Sequence, residues 1–365
     1  MKIVIFAGGY GTRMWPVSRK SSPKQFFPLI GGKSFFQITV DRFKKGFKPQ
    51  DIFVSTESKY TDFVKEQAPE IPKENIIGEP ERRDNLAAVG FASAIIEKRF
   101  PGEIMMVSWA DHLIKDEERF IKSVKVAGDY AKEKDLVVSI DEEPKYPTTQ
   151  NGWIKLGETI DEFDRHRIVK IVKHIEKPDL GTAKKLFKSG LYLINTGYRA
   201  WRASVMLGFY KEYQPKMYDA LVKIADLWEN KKIKAHIKET KVYQLYHSLP
   251  KDSVEYGIFE KIGEGKRVTI PVNVGWEDAG TWQLFYEAFA RGNSSNVTEG
   301  SEVEFIDAQN NLIIGPSQKL ISVIGLSDIA VIDTNEGLLV CKLNQTGKVK
   351  ELFTKLEKEK PEFVD

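Results

Sequence analysis

The residues best equipped for chemistry stand at the amino end. An apolar stretch of strand length, Ile3–Phe6, runs at once into Ala7-Gly8-Gly9-Tyr10-Gly11-Thr12-Arg13, with Arg19 and Lys24 close behind. Three closely spaced glycines after a strand let bare backbone N–H groups converge on an anion. Glycine is required because such a turn needs unusual φ/ψ values and a phosphate must approach the main chain. Arg13 and Lys24 add positive charge, which weighs against a purely structural turn. The chemistry implied is that of a nucleotide-phosphate site. It is not a P-loop, which needs four residues between its glycines and a Gly-Lys-Ser/Thr end, nor a Rossmann fingerprint, since Met14 occupies the third place after Gly9-Tyr10-Gly11.

The string Gly8-Gly9-x-Gly11-Thr12-Arg13, continuing to Pro23-Lys24, resembles the signature of sugar-1-phosphate nucleotidyltransferases. The narrower strings Arg13-Met-Trp-Pro-Val-Ser-Arg19 and Pro23-Lys-Gln-Phe26 are similar to the mannose-1-phosphate guanylyltransferases. The resemblance implies transfer of GMP from GTP to mannose 1-phosphate, giving GDP-mannose and pyrophosphate. It places Ala7, Gly8, Gly9, Gly11, Thr12 and Arg13 on the nucleotide, with Arg13 and Lys24 catalytic. Such a transfer needs cations at the reacting phosphates and no protein nucleophile. It also needs a metal, and hard Mg²⁺ takes carboxylate oxygens, often only one or two from the protein.

Two aspartates are expected to supply them. Asp111 follows the apolar run Met105–Trp109 in an Ala-Asp-His string, which resembles the family's metal-binding element. Asp278, in Gly275-Trp-Glu-Asp-Ala-Gly-Thr-Trp282, resembles the second metal ligand, and the match selects it over Glu277. Each has a structural alternative as the cap of the helix that follows it. His112 is expected to pack or to support, since neighbours on an extended segment point opposite ways.

On the sugar side, resemblance implies Gly152 in Thr149–Ile154, Glu176 and Lys177 in His174-Ile-Glu-Lys-Pro178, and Asn195 in an Asn-x-Gly element. Glu176 would accept from sugar hydroxyls and Lys177 would neutralise the sugar phosphate. The string Ser253–Lys261 is similar to the family's Ser-Ile-Asp-Tyr-x-x-x-Glu-Lys, which brings in its acidic residue and Lys261. On the base side, Gly78–Ala88 resembles a Glu-Pro-x-x-Arg-Asn-Thr-Ala-Pro-Ala string, implying Glu79, Arg83, Asp84 and Asn85 near the nucleotide. Asp84 is either a guanine reader or a cap for the helix expected from Asn85.

These residues need a frame. Strands are expected at Ile3–Phe6, Ile52–Ser55, Ile104–Ser108, Leu136–Ile140 and Ile168–Val172, and helices at Asn85–Arg99, Glu117–Lys132 and Leu180–Lys188. The alternation predicts an α/β fold, a mainly parallel sheet with helices on both faces and a ligand crevice beyond the carboxyl ends of the strands. After Gly292 the pattern changes to a polar stretch and short strands at 312–315, 320–324, 329–332 and 338–341. Two domains are expected: 1–292, catalytic, and 293–365, a small all-β unit that by resemblance is a short left-handed β-helix. Lys350–Lys360 reads as a solvated terminal helix.

Composition narrows the class. The 365 residues are 41% hydrophobic and 29% charged with a net charge of +3, which suits one large or two smaller globular domains. No basic run interleaves with aromatics, so nucleic acid is not an expected partner. No membrane-length apolar run and no leader-like amino end is found, so a cytoplasmic protein is expected. The single Cys341 excludes an intrachain disulfide and reads as a buried, inert thiol. Relatives fused to an isomerase domain are longer, so isomerase activity is not expected. The appended β unit is where a homodimer would pair. The rival readings are a UTP- or dTTP-dependent enzyme acting on glucose 1-phosphate, a non-catalytic GDP-mannose sensor and a glycosyltransferase.

Overall fold

The computed structural model of the protein describes residues 1–263, 265–292 and 294–365. Asn293, the first residue of the expected C-terminal unit, and Glu264 lie outside the described residues. The chain forms two compact units and crosses between them more than once. The first holds Met1–Gly8, Arg42–Trp109 and Ile114–Trp276; the second holds Gly9–Asp41, Ala110–Leu113 and Glu277–Asp365.

The first unit is built on a sheet in which nine strands are described. In space they run Ile76–Glu79, Ile52–Glu57, Lys2–Phe6, Ile104–Trp109, Tyr192–Arg202, Val137–Glu142, Arg267–Val272, His166–Ile175, Trp153–Phe163. The first four are mutually parallel, as are Val137–Glu142 and Arg267–Val272. Tyr192–Arg202 runs antiparallel to both of its central neighbours and so joins the two parallel blocks into a mixed sheet. The apolar runs at the centre are buried on both sides, as strands covered by helices must be.

Both faces are covered. Tyr198 meets Phe120 of the helix Glu117–Lys134, whereas Trp201 meets Phe259. Those two positions differ by an odd number along a strand and face opposite sides. The helix Asp84–Arg99 packs with Val4, Phe6, Phe53, Met105 and Val107 in one core that also takes in the helices Ala203–Tyr213 and Pro215–Glu229. The expected helices were placed correctly, within two residues at each end.

The second unit has its own core, in which Met14, Trp15 and Val17 pack with Trp282, Phe285, Leu312, Ala330 and Ile332. Its carboxyl-terminal part is β-helix-like. Val297 stacks in parallel register on Leu312 and Leu312 on Ala330, while Val303 stacks on Ile321. Leu338–Lys342 closes the stack antiparallel to Ile329–Asp333. The terminal helix Val349–Glu359 departs from the solvated expectation, because Val349 and Phe353, four residues apart, drive one face into this core. Cys341 is half-buried, and burial pushes its thiol pKa up. Among the described residues no helix is long and apolar enough to cross a membrane.

Candidate active site

The second unit gathers four charged residues of opposite sign. Strand Lys2–Phe6 hands the chain to Ala7, whose N–H donates to Ser55 O and whose carbonyl accepts from Thr56 Oγ1. Gly9 and Gly11 then adopt φ of +85° and +71°, values at which a side chain is strained. A Cβ on Gly11 would also lie 2.6 Å from Lys24 Cγ, so glycine is needed there twice over. The carbonyls of Gly9 and Tyr10 accept from Gln25 Nε2 and Ser18 Oγ, which pins the loop. Thr12–Met14 is a single 3₁₀ turn carrying Arg13.

Lys24 is buried, and its Nζ lies 2.7 Å from Asp111 Oδ2. Burial pushes the Asp111 carboxyl up, but Lys24 and His112 outweigh it and hold the group well below the usual carboxylate range. Asp278 is paired in register with His112, the residue after Asp111, through the short strands His112–Leu113 and Glu277–Asp278. A Cβ on Gly280 would meet Asp278 Oδ1 at 2.8 Å and Arg13 Nη2 at 3.1 Å, so those two groups converge on the same glycine. Arg13, Lys24, Asp111 and Asp278 therefore form one cluster.

Neither aspartate is spent on a helix. The helix from Glu117 is capped by Asp116, whose Oδ1 accepts from Arg119 N, and the helix from Trp282 by Thr281, whose Oγ1 accepts from Leu284 N. Both structural alternatives are thereby removed. Among the described residues no third His, Cys, Asp or Glu joins the two to make a dedicated cage. Two hard oxygen donors, with room left to substrate phosphates, fit Mg²⁺.

The first unit gathers the expected sugar-side residues. Asn195 N donates to Gly152 O at 2.9 Å, and Asn195 Nδ2 lies 3.2 Å from His174 Nε2. Glu176 reaches His174 Nε2 at 3.5 Å and Lys177 Nζ at 3.0 Å. A Cβ on Gly152 would fall 2.5 Å from His174 Nε2 and 2.7 Å from Glu176 Oε2, so a larger residue there would push both side chains from their places. Gly152, Glu176, Lys177 and Asn195 thus come together around His174. Burial pushes the His174 pKa down, and the nearby Arg199 charge adds to this, which favours the neutral ring. Lys261 is exposed after the π-helical turn Glu255–Phe259, and among the described residues its side chain makes no bond into this network.

The base-side string divides. Glu79 is buried, accepting from Ser55 Oγ at 2.9 Å and Tyr246 Oη at 2.6 Å. Arg83 pairs with Glu81 at 2.7 Å and donates to Leu249 O. Asp84 is exposed at φ +65°, and among the described residues its Oδ1 accepts only from the adjacent Asn85 N, so it does not cap the helix in the usual way. Asn85 turns inward, accepting from Val254 N and donating to Glu255 Oε2.

Residues 2–295 match the nucleotidyl transferase family model, and residues 301–356 match the MannoseP isomerase/GMP-like beta-helix domain. The chain is 32% identical over 364 residues to the mannose-1-phosphate guanylyltransferase RfbM of Salmonella typhimurium, covering 97% of this chain and 72% of that one. It is 30% identical over 358 residues to the mannose-1-phosphate guanylyltransferase of Escherichia coli, covering 97% and 73%. It is also 30% identical over 356 residues to the xanthan biosynthesis protein XanB of Xanthomonas campestris, again covering 97% and 73%. A solved structure from Thermus thermophilus, described as a mannose-1-phosphate geranyltransferase, shares the fold, with a TM-score of 0.85 over 98% of this chain and 99% of that one at 24% identity. A glycine turn after the first strand, with cations and carboxylates converging beside it, defines a phosphate-handling α/β enzyme. The chain belongs to the nucleotidyl transferase family.

Proposed function

We propose that the protein transfers GMP from GTP to mannose 1-phosphate, releasing pyrophosphate and GDP-mannose. The observation that carries this reading is the convergence of Arg13, Lys24, Asp111 and Asp278 on one glycine-turn scaffold. The guanylyltransferase relatives at 30% and 32% identity support the choice of substrates.

An oxygen of the sugar phosphate attacks the α-phosphorus, and the bond to the pyrophosphate oxygen breaks. The amides of Gly8, Gly9 and Gly11, with Thr12 and Arg13, hold the β- and γ-phosphates and stabilise the charge that leaves. Lys24 neutralises charge at the reacting phosphate, and Lys177 holds the attacking one. Asp111 and Asp278 would hold Mg²⁺, which supplies Lewis-acid polarisation of the phosphoryl oxygens when bound. Glu176, Asn195 and the Gly152 backbone orient the sugar hydroxyls. The exposed Asp84 would accept from the guanine N1–H and N2–H₂ donors, with Arg83 beside it and Asn85 and Glu79 supporting the string from within the fold. Residues 1–292 would carry this chemistry and 293–365 the β unit through which a homodimer would form. The enzyme would work in the cytoplasm.

The test is pyrophosphate release with Mg²⁺ across GTP, ATP, UTP and dTTP against mannose 1-phosphate and glucose 1-phosphate. Release confined to GTP with mannose 1-phosphate is expected. A preference for UTP or dTTP with glucose 1-phosphate would overturn the specificity, and silence in every pair with tight GDP-mannose binding would overturn the catalytic reading.

A further inference from the structure

Arg199 stands in the middle of a sheet, opposite Val107 on one neighbouring strand and Ser139 on the other, where an apolar side chain would ordinarily be found. It is only 7% exposed. Among the described residues its guanidinium makes three side-chain contacts. Nη1 lies 3.0 Å from Glu255 Oε1, Nη2 donates to Asn195 Oδ1 at 3.2 Å, and the carbon of the head lies 4.0 Å from the centre of the Phe259 ring.

Arg199 is buried and Glu255 keeps about 20% of its side chain exposed, and taking such a pair out of water is costly enough that an apolar pair of the same volume often serves the fold as well. The pair therefore calls for another use, and its two acceptors name one. Asn195 carries the contacts to Gly152 and His174, and through His174 to Glu176. Glu255 carries the contact to Asn85. One planar fork thus holds Asn195, from which the sugar-side contacts branch, and Glu255, whose other contact reaches Asn85 on the base side. A lysine, with a single ammonium on a flexible stem, could not hold two acceptors in fixed directions. Phe259 behind the guanidinium limits its movement further. A cavity of about 20 Å³ beside it, lined by His174, Glu260 and Arg267, is the size of a single water and leaves little room for the head to relax elsewhere.

We propose that Arg199 is a positioning residue for the sugar-phosphate site, fixing Asn195 and Glu255 in the geometry that receives the sugar. The inference rests on the functional reading above and adds a residue to it. Glu255 is held below the usual carboxylate range because Arg199 outweighs the upward push of burial, so the pair is ionised as drawn.

The experiment is steady-state kinetics of the wild type, Arg199→Met, Arg199→Lys and Glu255→Asp, with thermal unfolding of each. Arg199→Met is expected to raise KM for mannose 1-phosphate about tenfold or more, the loss of one charge-assisted contact set, while KM for GTP, reached only indirectly through Glu255 and Asn85, rises by a clearly smaller factor. Arg199→Lys is expected to fall between the two, because it restores charge without the fork. An unchanged sugar KM in the Arg199 variants, or KM values for both substrates rising there by the same factor, would overturn the proposal. If Arg199→Met does not fold, Arg199→Lys decides the matter, because it should show the same split in smaller degree, whereas Glu255→Asp, which shortens the reach to Asn85 as well, should raise both KM values. A wild type that prefers glucose 1-phosphate would overturn the mannose reading, yet the same split measured on that sugar would still support Arg199. A wild type inert with every sugar phosphate would overturn both.

Discussion

Lys24 Nζ lies 2.7 Å from Asp111 Oδ2, so the cation assigned to the reacting phosphate and a carboxylate assigned to the metal neutralise each other. The pair makes sense as a resting arrangement of a site built for anions. Lys24 is buried and would be left unpaired without Asp111, while Asp111 keeps about 30% of its side chain exposed. Divalent binding at Asp111 must therefore compete with the ammonium. Lys24→Met is expected to strengthen Mn²⁺ binding to the nucleotide-free protein, measured by calorimetry or by the spin resonance of free Mn²⁺. The same variant should lower kcat about a hundredfold, the scale of one lost electrostatic contact in a transition state. Weaker Mn²⁺ binding would mean that Lys24 assists the carboxylate rather than competing for it.

Gly11 carries two constraints at once, φ of +71° and the aliphatic stem of Lys24 against its Cα. Gly11→Ala should strain the backbone by about 1 kcal/mol or more and also displace Lys24. Gly8 has open space where a Cβ would go and no positive φ, so Gly8→Ala is the matched control. Turnover should fall in the first variant well beyond the second. Equal losses would mean that the loop's fit to phosphate, rather than the Lys24 contact, sets the requirement for glycine.

Glu79 gives the fold a pH dependence of definite sign. Burial, opposed by hydrogen bonds from Tyr246 and Ser55 and aided by the charge of Glu57, pushes its pKa from 4.5 up to about 7. The folded state therefore keeps a proton that the unfolded state gives up between those values. This contribution is fully present below pH 4.5 and is lost as pH rises through 7, by about 3 kcal/mol in all. Glu79→Gln cannot ionise, so the stability gap between variant and wild type should widen in the variant's favour from pH 4.5 to 8. Denaturant unfolding across that range measures it, and a constant gap would mean that Glu79 stays ionised in the fold.

The legible part of the chain was the part with a single period. Apolar runs such as Ile3–Phe6 and Ile104–Ser108 announced buried strands, and the Gly8–Arg13 and Pro23–Phe26 strings announced the loop. Trp153–Phe163 was not foreseen as a strand because its middle, residues 157–160, is exposed and its apolar residues do not alternate regularly with polar ones. Arg199 was passed over because Tyr198, Ala200 and Trp201 around it read as core, and a buried charge leaves no mark in a pattern of apolar residues. Ser18 gave no signal, since a serine that holds a carbonyl looks like any loop serine. Glu255 was at hand in the Ser253–Lys261 string, but its partner was invisible until the fold brought the two together.

The stacking of the β unit was hidden differently. Its marker is a polar ladder rather than an apolar repeat: Asn296, Asn311 and Asp328 each stand just before a stacked strand, at unequal spacing. Asn311 is the pivotal rung. It is fully buried; its N–H donates to Asn296 Oδ1, its Nδ2 to Leu326 O, and its Oδ1 accepts from Ile329 N. Asn311→Ala keeps the backbone bond and removes the partners of the Leu326 carbonyl, on an exposed residue, and of the half-buried Ile329 N–H. A buried unsatisfied group costs about 1–3 kcal/mol and water can satisfy the Leu326 carbonyl, so the variant should lose about 1–3 kcal/mol of stability, read as a lower denaturant midpoint. Asn311→Asp keeps the acceptor for Ile329 but loses the donor to Leu326, and it should recover part of the loss at low pH, where a protonated carboxyl can donate again. Thermal unfolding of both variants between pH 4 and 8 separates the two bonds. An Asn311→Asp stability that does not improve on acidification would show that the Leu326 carbonyl finds another donor, and that the ladder depends on the Ile329 bond alone.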